Sequence, residues 1–392
     1  MNTGYWLRRN IAGLVSVLSI IAPASADEFR LKAVGFADLP GWAQEDHGAA
    51  LGVLTGACGE LTTSGVGFAR KAAFSGSRND WLALCEKAGQ IGQSHSAARH
   101  FFESQLVPLA IFQTRGQFTG YFEPEVSGSR KQTCTFHVPI LSRPDDLVKL
   151  SKSANSRLGL SYGRIANGKA RPYFSRKEIE KGQLAARGLE IAYLKSWEDL
   201  FFMQVQGSGR VKLKEGGTMR LAYAAKTGLS YTSIGKVLID RGEMTREGMS
   251  MQALRGWLEK HPQQARQIMW LNQSYVFFRE LKGADSSSGP VGAQKLPLTK
   301  LRSLAVDRNY WALGVPLWIS TSVFSEGQPV PFNRLMIAQD TGSAIKGPAR
   351  GDIFMGTGHQ AGLDAGAMDQ SGSMTALVPR RLAARLLKKY GR

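Results

Sequence analysis

Between Ala338 and Gly358 the chain sets two aspartates, Asp340 and Asp352, among Gly342, Gly347, Gly351, Gly356 and Gly358. Carboxylates in backbone that can turn sharply, or let a ligand approach closely, suit proton transfer at a bound substrate. Asp beside Gly equally serves turns and helix caps, so both readings stand at this level. Two further segments carry hydrogen-bonding side chains in alternation. In Phe118-Thr119-Gly120-Tyr121-Phe122-Glu123 a strand places Phe118 and Phe122 on one face and Thr119, Tyr121 and Glu123 on the other. In Phe201 to Val211 a period of two aligns Gln204, Gln206 and Ser208 opposite Met203 and Val205. Amides and hydroxyls beside an aromatic ring are what a sugar chain needs.

Other chemistries leave little trace. The six histidines (47, 95, 100, 137, 261, 359) form no HExxH motif or other close metal-ligand spacing, and the cysteines fit no zinc pattern, so neither metal nor cofactor is expected. No GxSxG elbow or phosphate-binding loop is present. Cys58 with Cys85 is the expected disulfide, because the loop between them is short, which leaves Cys134 as a thiol expected to be buried.

The elements that must position these groups are mixed. Gly41 to Pro108 has helical periodicity, and from Ile111 the period becomes two. Residues 125 to about 175 suggest short strands joined by long loops. Helices are expected over Met251–Leu258 and Ala265–Met269, a strand at Tyr275–Phe278, and an exposed loop from Lys282 to Gln294. Several short strands follow between Pro297 and Pro379, including Leu335-Met336-Ile337-Ala338, before a basic amphipathic helix from Arg380 to Tyr390. The fold class is mainly β with flanking helices.

With 392 residues, 50 Lys and Arg against 31 Asp and Glu, and 43% hydrophobic residues, disorder and coiled coil are excluded and two or three domains are expected. Residues 1–26 read as an export signal: Arg8 and Arg9, an apolar run from Ile11 to Ala22, and Ala24-Ser25-Ala26 as the cleavage site. The periplasm is the expected location. No cysteine stands near that site to be lipidated, so no lipoprotein is expected. A formal charge of +19 would favour nucleic acid in a cytosolic chain, but an exported chain meets anionic envelope surfaces and cell-wall carboxylates instead, and no nucleic-acid partner is expected.

Five segments in order carry a resemblance: Thr119-Gly120-Tyr121-Phe122-Glu123-Pro124, Phe202-Met203-Gln204-Val205-Gln206-Gly207-Ser208-Gly209, Tyr231-Thr232-Ser233-Ile234-Gly235, Asn272-Gln273-Ser274-Tyr275-Val276-Phe277-Phe278, and Gln339-Asp340-Thr341-Gly342-Ser343-Ala344-Ile345-Lys346-Gly347. Together the chain resembles the membrane-bound lytic murein transglycosylase A family over roughly residues 110 to 370. The resemblance implies a double-psi β-barrel domain (27–124 and 271–392, carrying a C-terminal 3D motif) interrupted by a smaller inserted β-barrel domain (125–270), with a glycan groove between them. It implies Asp352 as the catalytic acid and base and Asp340 as the first aspartate of the motif, with Asp364 or Asp369 as the third. The glycan would bind at Thr119, Gly120, Tyr121, Gln204, Gln206, Ser208 and Lys346. Ile353 and Phe354 would give Asp352 apolar cover, and Arg350 would not pair with it.

The implied reaction is non-hydrolytic cleavage of the MurNAc-β-1,4-GlcNAc bond in peptidoglycan strands by a monomer, giving 1,6-anhydroMurNAc ends. The alternatives are a non-catalytic wall-binding or morphogenetic protein on the same barrel, and a hydrolase using a second acid such as Glu123 or Asp340.

Overall fold

The computed structural model describes residues 29–92, 94–112, 115–283 and 288–391; the export signal expected over 1–26 lies outside them. The helical periodicity before Pro108 gives helices His47–Thr63, Asn79–Ala88 and His95–Gln105. Asp46 and Ser94 start the first and third by accepting from the N–H of Ala49 and Ala97. Cys58 and Cys85 join the first two helices as a disulfide. Cys134 is exposed, contrary to expectation, because it lies in an open turn outside the apolar cores.

The strands follow in chain order as β1 (Arg30–Ala33), β2 (Leu106–Phe112), β3 (Gly116–Glu123), β4 (Glu125–Ser129), β5 (Val138–Leu141), β6 (Val148–Lys149), β7 (Tyr162–Ala166), β8 (Lys169–Arg171), β9 (Glu190–Leu194), β10 (Ser208–Leu213), β11 (Thr218–Lys226), β12 (Val276–Glu280), β13 (Ser303–Val306), β14 (Pro316–Ser325), β15 (Gln328–Asp340), β16 (Arg350–Thr357) and β17 (Asp369–Pro379). The order β17-β14-β15-β13-β16-β3 closes on itself through β3 and β17, making a six-stranded barrel, and β2 and β1 extend from its β17 edge. Two neighbours, β13 with β15 and β16 with β3, run parallel. Leu335, Met336, Ile337 and Ala338 are all fully buried. An unbroken apolar run is the mark of a strand covered on both faces.

Of the remaining strands, β6, β7 and β8 form a three-stranded sheet, and the others build a second unit in the order β12-β11-β10-β4-β9-β5, whose ends meet at a bridge between Ser142 and Phe278. Its core includes Val138, Ile140, Leu194, Val211 and Phe277. The helices Met251–Lys260 and Pro262–Trp270 pack on a separate cluster around Leu258 and Met269. The C-terminal helix runs from Arg380 to Tyr390, as its pattern indicated.

Two further expectations are corrected. Residues 201–211 are not one strand: a helix spans Trp197–Gln206, Gly207 ends it in the left-handed region with φ 78°, and β10 starts at Ser208. The cause is local: Ser196 accepts from the Asp199 N–H to start the helix, and glycine adopts the stop without strain. The 282–294 segment is not exposed throughout, because Gln294 is fully buried and donates to Ala57 O and Glu60 Oε2.

Candidate active site

One row of the first barrel collects the acidic residues. Asp340 on β15 stands opposite Ala305 on β13, Ala305 opposite Asp352 on β16, Asp352 opposite Thr119 on β3, and Thr119 opposite Asp369 on β17. With strands about 4.8 Å apart, the backbones at 340 and 352 lie on the order of 10 Å from each other. Asp369 therefore shares the row, and its Oδ1 accepts from Gln117 Nε2 at 2.8 Å. Asp364 instead lies on helix Gly358–Gly366 and accepts from Gln360.

Thr119 Oγ1 donates to Asp352 Oδ1 at 2.6 Å, while Arg350 Nη2 donates to Thr119 Oγ1 at 2.7 Å. The arginine occupies a lone pair of the hydroxyl and so turns its proton toward the carboxylate. Among the described residues no ion pair joins Arg350 to Asp352, and no hydrogen bond reaches Asp352 Oδ2. Burial raises the Asp352 carboxyl above the ordinary aspartate range, opposed by the charge of Arg350 and the Thr119 hydroxyl. Asp340 is pushed up to about 6 by burial, against hydrogen bonds from the Thr341 and Ala293 N–H groups and from Tyr121; the charge of Asp352 adds to the rise. Ala293 N donates to Asp340 Oδ1 at 3.0 Å and Tyr121 Oη to Asp340 Oδ2 at 3.1 Å. The Tyr121 hydroxyl is itself held well above its usual range by burial and by both aspartates.

Beside the aspartates lies a small apolar cluster of Tyr121, Leu298, Ala305, Ile345 and Phe354, with the Tyr121 and Phe354 rings 5.4 Å apart. Phe354 shares the face of Asp352, as two residues along a strand must. Ile353 points the other way, into the barrel core, so of the two expected covers only Phe354 serves.

The expected glycan residues separate. Thr119 and Tyr121 face the aspartates. Gly120 accommodates helix Gly358–Gly366, since a Cβ there would stand 2.8 Å from Ala365 Cα. Gln204 is buried inside the second unit: its Oε1 accepts from Arg176 Nη1 at 2.6 Å and its Nε2 donates to Val276 O at 2.9 Å. Gln206 Oε1 accepts from the Phe122 N–H at 3.0 Å and so ties the helix to β3. Ser208 is buried at the start of β10, and Lys346 is exposed beyond β15. Glu123 is buried in an ion pair with Arg210 Nε at 2.7 Å and accepts from Thr357, so it is engaged already.

Tyr231, quoted above without a role, comes from the second unit into the field of Asp352. It is 39% exposed, and burial and that aspartate together raise its hydroxyl. The available signal was an aromatic just ahead of a serine cap, Ser233, which starts the helix Ile234–Asp240. Among the described residues no group of three His, Cys, Asp or Glu is placed to hold a metal ion, and no helix is long and apolar enough to cross a membrane.

Residues 117–279 match the family model described as the MltA specific insert domain, and residues 302–378 match that of the 3D domain. The membrane-bound lytic murein transglycosylase A of Escherichia coli K12 is 36% identical over 270 residues, a match that spans 67% of this chain and 65% of that protein. The crystal structure of a membrane-bound lytic murein transglycosylase from Agrobacterium tumefaciens is 36% identical, with a TM-score of 0.82 over 91% of this chain and 99% of that one. The E. coli MltA structure with bound chitohexaose is 30% identical, with a TM-score of 0.61 over 84% of this chain and 90% of that one. On the barrel, its row of aspartates and these likenesses, the chain belongs to the membrane-bound lytic murein transglycosylase A family.

Proposed function

We propose that the protein is a peptidoglycan lytic transglycosylase that cleaves the MurNAc-β-1,4-GlcNAc bond with Asp352 as sole acid and base. The observation that carries this reading is a buried carboxyl with a raised pKa, one oxygen fixed by Thr119 and the other open, unpaired with the arginine two residues away. Protonated Asp352 gives its proton to the bridging oxygen, and the GlcNAc alcohol departs. The resulting carboxylate then takes the proton of the MurNAc 6-hydroxyl as that oxygen bonds to the anomeric carbon, which closes the 1,6-anhydro ring and restores the acid. Ordinary glycosidases need two carboxylates. Here the attacking alcohol is already part of the substrate, and such proximity is worth up to about 7–11 kcal/mol in well-oriented systems.

In this reading residues 27–124 and 271–392 form the catalytic unit and 125–270 an inserted one. The glycan runs past Thr119, Tyr121 and Tyr231, and a monomer acts in the periplasm. The relative that binds chitohexaose supports a sugar chain as the ligand. The test is digestion of murein sacculi by the wild type and by Asp352→Asn, followed by mass spectrometry. Anhydro-muropeptides from the wild type alone support the reading. Reducing ends would point to a hydrolase, and intact sacculi to a wall-binding protein.

A further inference from the structure

A basic track leaves the row of aspartates. Lys226, the last residue of β11, donates from Nζ to Ser343 Oγ at 2.6 Å, three residues beyond Asp340. Burial holds its ammonium below the usual lysine range, and the positive charges of Lys346 and Arg70 add to the effect. Arg70 also acts on Arg308, whose Nη2 donates to Gly67 O. Farther out, Arg70 and Lys71 line an open cavity of about 530 Å³, faced by Arg385 and Lys389 of the C-terminal helix over apolar Leu386 and Tyr390.

Three acids stand near this path; Asp307 accepts from the Gly347 and Asn309 N–H groups, and the charge of Glu60 partly offsets that of Arg308. Glu60 accepts from Ser64, Val66 and Gly67, and Asp80 pairs with Arg385. Like charges gathered in this way focus a positive potential that an extended anion relieves.

We propose that this track, from Lys226 through Arg70 and Lys71 to the cavity at the C-terminal helix, binds the carboxylates of the wall's peptide stems while the glycan lies beside Asp352. The proposal rests on the lytic reading above. A stem peptide is favoured over a bilayer because the track begins beside the aspartates, where a muramyl residue carries its peptide, rather than only at the outer helix.

The test uses the full chain with Asp352→Asn, so that binding is measured without turnover, with and without Arg70→Gln and Lys71→Gln together. Cosedimentation is compared on intact sacculi and on sacculi stripped of peptide by an amidase. The double change is expected to weaken binding to intact sacculi about tenfold and to flatten its salt dependence, with binding to stripped strands unaltered. Lys389→Gln, at the far end, should weaken the same binding less, and equal melting temperatures exclude misfolding. Equal losses on both substrates, or none, overturn the proposal. So does a loss of binding to phosphatidylglycerol vesicles with sacculus binding intact, which would make the track a membrane-docking surface. Failure of the lytic reading shows separately, as an absence of anhydro ends from the wild type on either substrate.

Discussion

The polar segments at 119–121 and 204–208 contain similar hydrogen-bonding groups, yet the fold uses them in opposite ways. In the first, β3 is fixed between β16 and β17 of a closed barrel, so alternation alone aims Thr119 and Tyr121 at Asp352 and Asp340. In the second, Ser196 and Gly207 frame a helix, and the amide at 204 turns inward to Arg176. A period of two reports a face only where strand neighbours hold the chain flat. Where a cap and a left-handed stop flank the same residues, the helix wins and the amides go into structure.

The sharpest way to break that contrast is to remove one group from each region. Asp352→Asn keeps shape but cannot give a proton, and turnover of sacculi is expected to fall by about 10³-fold, within the range for loss of a general acid. Gln204→Ala leaves the Nη1 of buried Arg176 without its best acceptor. It should cost about 1–3 kcal/mol of stability, read from denaturant unfolding, with turnover per folded molecule nearly unchanged. If Gln204→Ala instead cuts turnover tenfold or more at constant stability, its amide serves the glycan and the two regions are alike.

Asp340 sharpens the comparison within the site itself. Its folded pKa of about 6 lies above the ordinary value of 3.8, so the native state holds a proton that the unfolded chain has already lost. This group contributes stability that is complete below pH 3.8 and lost as pH rises through about 6. Asp340→Asn should flatten the melting temperature across that window. A mutant curve parallel to the wild type would mean that Asp340 keeps an ordinary carboxylate pKa in the fold.

The legibility of the molecule follows the same division. The helices before Pro108, the apolar run 335–338 and the basic terminal helix could be read from side-chain periodicity, because each buries a face that local pattern describes. The two aspartates were visible among glycines. Their alignment was not, since it depends on β13 passing between β15 and β16, and Ala305 has no chemistry to announce that place. For the same reason a bare pattern does not choose between Asp364 and Asp369: only pairing with Thr119 puts Asp369 on the row. The approach of Ala293 to Asp340 is likewise tertiary, made by a segment whose Ser, Gly and Pro content signals exposure.

Arg350 gives the smallest and most discriminating effect. It stands two residues from Asp352 but donates to Thr119, so its charge lowers the Asp352 pKa through space while burial raises it. The acid must be protonated to act, so activity is lost as pH rises through that pKa. Arg350→Gln removes the lowering influence, and the alkaline limb of kcat should move to higher pH with a modest change in the maximum. Arg350→Lys, which keeps the charge, should hold the limb near its wild-type position. A limb that moves equally in both variants would show that the hydrogen bond to Thr119, rather than the charge, sets the acid. A limb that moves in neither would place the rate-limiting proton on another group, and Tyr121 and Asp340, the nearest coupled pair, would then be the groups to titrate.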